Sequence, residues 1–89
     1  MSIKKPWYHN VLDRMEELLP QICGSYVAPL RIKDFCNIIS QSTFNNKDEI
    51  QEVHDRLDRL QSKLTGKDNE ESAYKCLKDL RLEISERLS

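Results

Sequence analysis

The chain has 89 residues, with 14 Lys and Arg against 15 Asp and Glu for a net charge of −1, and 38% of its side chains are hydrophobic and 33% charged. That balance excludes a collagenous, low-complexity or strongly basic polypeptide, and a chain this short supports one small core burying roughly two-thirds of its unfolded surface. No apolar run approaches the roughly 18 residues needed to cross a bilayer, and "MSIKKPWYHN" leads into charged residues, so a cytoplasmic protein with no membrane partner is expected.

Four helices are expected in chain order, at about 6–19, 29–40, 47–64 and 69–88, forming one all-α domain over 1–89. Pro6 can open the first helix, because the amide it lacks would be unsatisfied there, and Tyr8, Val11, Leu12, Met15, Leu18, Leu19 and Ile22 recur at helical spacing. Pro20 cannot continue a regular helix, so the element ends near Leu19 or kinks there and stops at Gly24. Pro29 can open the second helix, which turns Ile32, Phe35, Ile38 and Ile39 to one side. "SQSTFNN" is a polar linker with one aromatic residue. Asn46 followed three residues later by Glu49 has the form of a capping box that starts helix three. Gly66 can close that helix, Asp68 and Glu71 repeat the capping arrangement, and Ala73, Leu77, Leu80, Ile84 and Leu88 form the stripe of helix four.

The stripes differ in width. Helices one and two have broad apolar faces, whereas Ile50, Val53, Leu57, Leu60 and Leu64 make only the two-in-seven seam of a coiled coil. Helix three should therefore be mostly wet. Glu52 with Arg56 and Asp55 with Arg59 stand four residues apart, each pair worth about 0.2–0.5 kcal/mol on an exposed helix. The short connection at Thr65 to Asp68 and the shared period predict that helices three and four form an antiparallel coiled-coil-like hairpin. That pairing gathers Asp48, Glu49, Glu52, Asp55, Asp79, Glu83 and Glu86 at the end away from the turn, offset by Lys47, Arg81 and Arg87.

No constellation for catalysis is legible. His9 and His54 lie in different helices, no HExxH or CxxC cluster occurs, and the two glycines, Gly24 and Gly66, read as helix stops instead of a phosphate loop. Cys23, Cys36 and Cys76 are odd in number and widely spaced, which suits reduced, buried thiols; His9 could join them only if the fold brought all four together. No catalytic, metal or cofactor-binding residue is expected. "KKPWYH" and helices one and two raise a nucleic-acid-binding regulator as an alternative. Against it stand the absence of a basic face and a Pro20 to Ala28 connection longer than a helix-turn-helix allows.

The residues favour a small non-enzymatic binding module, an inhibitor, immunity or adaptor protein that masks a surface of another protein. An acidic patch would fit a basic partner. The candidate contact residues are Asp48, Glu49, Glu52, Asp55, Glu83 and Glu86, with Trp7 as an aromatic anchor and Leu82 as an apolar residue off its helix's stripe. Leu30 leaves its stripe in the same way. A self-assembling structural protein is the second alternative, a homodimer in which the seam of helix three pairs between chains.

Overall fold

The computed structural model describes residues 7–24, 26–64 and 73–89. Four α-helices span Trp7–Leu18 (α1), Val27–Gln41 (α2), Lys47–Leu64 (α3) and Ala73–Leu88 (α4), and a 3₁₀ segment, Leu19–Gly24, follows α1. The expectations placed on Pro6, the connection Thr65 to Asp68, the Gly66 stop, the Asp68 and Glu71 cap and the start of helix four at 69 lie outside the described residues.

Pro20 decides how α1 ends. Lacking an N–H for the Glu16 carbonyl, it breaks the α ladder, and the chain tightens into the 3₁₀ segment instead of opening into a loop. Leu19 and Ile22 thereby stay buried. The link to α2 is much shorter than the expected run from Pro20 to Ala28, and α2 starts at Val27, two residues before Pro29. Pro29 is then the third helical residue, where, unlike at Pro20, the missing N–H has no intrahelical acceptor to lose. At the other end Ser42 closes the helix, its backbone N–H donating to the Ile39 carbonyl at 3.2 Å and its hydroxyl to the Ile38 carbonyl at 2.6 Å.

The start of α3 is capped as Asn46 and Glu49 suggested, with one variation. Asn46 Oδ1 accepts the Glu49 N–H at 2.9 Å, while the Glu49 carboxylate reaches the N–H of Asn45, one residue further out than the usual box, at 2.8 Å.

The helices form a ring in which α1 packs on α2, α2 on α4, α4 on α3 and α3 on α1; α2 and α3, consecutive in sequence, stand at opposite corners. Polar contacts give the directions. Tyr8 with Glu52, Asp13 with Arg56 and Glu16 with Lys63 advance together, so α1 and α3 run parallel. Lys33 shares a groove with Cys76, and Ser40 bonds Glu83, so α2 and α4 also run parallel. The last two helices make the antiparallel hairpin, the most extensive contact of the fold. The α2–α3 connection must therefore cross the end of the bundle diagonally. Five residues, 42–46, reach at most about 17 Å, enough for the roughly 14 Å diagonal of helices packed about 10 Å apart.

The core is one apolar layer in which Val53, Leu57, Leu60 and Leu64 of α3 and Leu77 and Ile84 of α4 are at most 1% exposed. Each such side chain stabilises the fold by about 1.5–3 kcal/mol. The seam of α3 is thus covered within the chain, by α4 and the other core residues. The rest of α3 is mostly exposed, as its narrow stripe implies, but the flank that meets α1 is only half-exposed at Glu52 and Arg56. Arg56 pairs with Asp13 at 2.9 Å instead of with Glu52, because α1 lies alongside and the Glu52 carboxylate is already taken up by Tyr8 and His9. In α2 the buried stripe is Ala28, Ile32, Cys36 and Ile39; Ile38, expected inward, is 46% exposed because it stands about 100° round the helix from Ile39.

Candidate partner-binding surface

Four chain segments meet at the end crossed by the α2–α3 connection: the start of α1, the connection itself, the first turns of α3 and the last turns of α4. Phe44 is the pin. Its ring stacks on Trp7 with centroids 6.2 Å apart and an 11° interplanar angle, and meets Tyr8 edge-on at 5.5 Å. Tyr8 is buried and also meets Trp7 and His9 edge-on at 6.0 and 5.0 Å. Such contacts add about 0.5–1.5 kcal/mol each beyond area burial. Trp7 remains 43% exposed, an aromatic surface with one face held by Phe44.

The Tyr8 hydroxyl donates to Glu52 Oε1 at 2.8 Å, and His9 Nε2 lies 2.6 Å from the other carboxylate oxygen. Burial, then the adjoining Glu52 carboxylate, pushes the phenol's pKa well up. Glu52 therefore joins α3 to α1 from within the fold. Glu49 is likewise turned back onto the connection.

Glu83 does the equivalent work on the opposite edge of the ring. It accepts the Ser40 hydroxyl at 2.8 Å and Arg87 at 2.9 Å, while Arg87 donates to the carbonyls of Ser40 and Ser42 at 2.5 and 2.9 Å. A guanidinium on the last carbonyls of α2 also suits the negative end of that helix dipole.

Of the carboxylates read as contact residues, Glu49, Glu52 and Glu83 are thus engaged in holding elements together. Asp48, Asp55 and Glu86 are exposed, with Asp55 taking a bond from Gln51 at 2.9 Å and lying against His54 at 3.3 Å. Leu82 is 46% exposed on the outer side of α4. Arg81 does not offset the acidic end. It donates to Gln61 at 2.6 Å and sits 3.8 Å from Asp58, because helical side chains lean toward their own N-terminus, here the turn of the hairpin. The role of Phe44 was missed; its only signal was one large aromatic in an otherwise polar linker.

A groove of about 360 Å³ lies between α2 and α4, lined by Lys33, Cys36, Asn37, Ser40, Cys76, Asp79, Leu80 and Glu83. Cys36 and Cys76 meet there, and burial followed by the neighbouring Cys76 pushes the Cys36 thiol up to about 12. His9 is on the other edge of the ring, so it does not join them, and the Cys23 side chain is outside the described residues. Among the described residues no three or more His, Cys, Asp or Glu side chains are grouped to hold a metal.

Comparisons with protein-family models, curated proteins and solved structures find no match for this chain.

Proposed function

We propose that the protein is a non-enzymatic binding module of the inhibitor or adaptor kind, whose Trp7 end covers a basic surface of another protein. The observation that carries this reading is the half-open Trp7 ring, fixed against Phe44 and set beside the acidic first turns of α3. A rigid indole gives a partner a large contact at little entropic cost. A lysine or arginine of that partner gains from the π-face, and from Asp48 and Asp55, which project outward seven residues apart on α3. Glu49 and Glu52 contribute by fixing that surface in place, since their carboxylates already serve the α3 cap and the bond to α1.

The test is recovery of a partner from nuclease-treated native lysate on the immobilised full chain. A stoichiometric protein should be retained by the native sequence and lost, with circular dichroism unchanged, by Trp7→Ala and by the double variant Asp48→Lys/Asp55→Lys. Retention by both variants would refute the site.

A further inference from the structure

The outer face of α2 carries a second apolar surface, made of residues distinct from Trp7 and from the carboxylates of α3. Val27 and Leu30 are each 58% exposed and Ile38 is 46% exposed, although all three belong to a helix whose opposite side is core. Along this face Val27, Arg31, Asp34 and Ile38 follow one another at spacings of four, three and four residues, the alternation of a coiled-coil seam. All four are exposed, and Arg31 and Asp34 make no ion pair among the described residues.

The order of these residues has a symmetry that a surface meant for an unrelated partner does not need. The seam reads apolar, cation, anion, apolar. If a second α2 is laid against it antiparallel about a two-fold axis midway between Ile32 and Lys33, Val27 meets the other copy's Ile38 and Arg31 meets the other copy's Asp34. One axis satisfies both matches, and each is made twice, as an isologous contact requires. Leu30 flanks the pairs on the same exposed arc. A parallel arrangement would place Arg31 on Arg31 and Asp34 on Asp34, so the charges select the antiparallel one.

We infer that the outer face of α2 is a self-association surface, on which two copies of this chain pair antiparallel through Val27 with Ile38 and Arg31 with Asp34. The contact between two 15-residue helices belongs to the small, weak class of interfaces, so the dimer forms and dissociates with concentration. The residues it pairs do not include Trp7, Phe44 or the carboxylates of α3, so it does not rest on the partner surface proposed there.

Sedimentation equilibrium of the full chain, from about 10 µM to about 1 mM, tests the pairing, since an association of this class falls within that range. The native chain should pass from monomer toward dimer. Arg31→Asp and Asp34→Arg each put like charges together twice per dimer and should weaken association at least about tenfold. An equimolar mixture of those two variants should recover it, because every cross-pair is then opposite in charge. The rescue requires both variants to be folded and the charges to meet across the axis. A native chain that stays monomeric at about 1 mM overturns the inference. So does a dimer that both single variants leave intact, or one that the mixture fails to restore while both variants keep their helical spectrum.

Discussion

Replacing Tyr8 by Phe isolates the bond that ties α1 to α3. The ring is 1% exposed, so Phe keeps its packing against Trp7, Phe44 and His9 and loses only the hydroxyl that donates to Glu52 at 2.8 Å. A hydrogen bond to a charged acceptor contributes about 1.5–3 kcal/mol when shielded. The Glu52 side chain is 43% exposed, so water replaces much of what the phenol supplied. The expected loss is therefore at or below the bottom of that range, about 1–1.5 kcal/mol, or about 5–10 °C in Tm for a domain of this size. The same bond predicts an alkaline signature. The folded phenol's pKa lies above the ordinary value near 10, so its contribution is fully present below pH ~10 and is lost as pH rises beyond it, the unfolded chain ionising first. The gap between native chain and variant should close by about 1.4 kcal/mol per pH unit and vanish near pH ~11. Urea unfolding followed by far-UV circular dichroism, at neutral pH and at each half unit above pH ~9, measures both effects, since every other group is common to the two proteins. An unchanged urea midpoint at neutral pH, or a gap as wide at pH ~11 as at pH ~7, refutes the reasoning.

Leu57→Ala should cost about 2–5 kcal/mol, a large part of the ~4–13 kcal/mol expected for 89 residues, whereas Leu82→Ala on the exposed side of α4 should stay within about 0.5 kcal/mol of the native chain. Comparable losses in urea unfolding would contradict the assignment of inner and outer faces. Alkylation by iodoacetamide near pH 8, mapped by peptide mass spectrometry, should label Cys76 at least about tenfold faster than Cys36, since a thiol with a pKa of about 12 is ionised in only about one molecule in 10⁴ there. Equal rates would mean that α2 and α4 do not enclose Cys36.

The elements and core stripes were legible because they depend on period alone. Val53, Leu57, Leu60 and Leu64 are buried where the seam placed them, and Leu77, Leu80 and Ile84 face them. What failed was of another kind. The assignment of Arg56 to Glu52 rested on spacing along one helix, and α1, distant in sequence, outbid it with Asp13. The same remoteness hid the Tyr8–Glu52 bond, which joins residues 44 positions apart. No periodicity carries the lateral order of helices, so no reading of α3 alone could say which flank would meet α1. Phe44 was recognisable as odd in its linker, but the diagonal crossing that brings it onto Trp7 follows from the ring order. Of the proposed contact residues, the exposed ones could be picked by type, while the inward engagement of Glu52 and Glu83 became visible only with the neighbours in place.

The ring order also bears on whether the two proposed surfaces can act independently. Glu52 fastens the parallel pair α1 and α3, and Glu83 with Arg87 fastens the parallel pair α2 and α4, on opposite edges. Both parallel sides thus carry side-chain bonds between residues far apart in sequence, in addition to their apolar packing. A charge change at Arg31 or Asp34 touches neither fastening, because both lie on the outward arc of α2. Changes at Asp48 and Asp55 likewise leave the bonds of Glu49 and Glu52 in place. Self-association and partner binding can therefore be altered separately. A chain carrying Arg31→Asp should still hold a partner through Trp7 as a monomer, and one carrying Trp7→Ala should still dimerise. Loss of both properties from either single change would mean that the two surfaces are coupled through the fold, a coupling this arrangement of the polar fastenings does not provide.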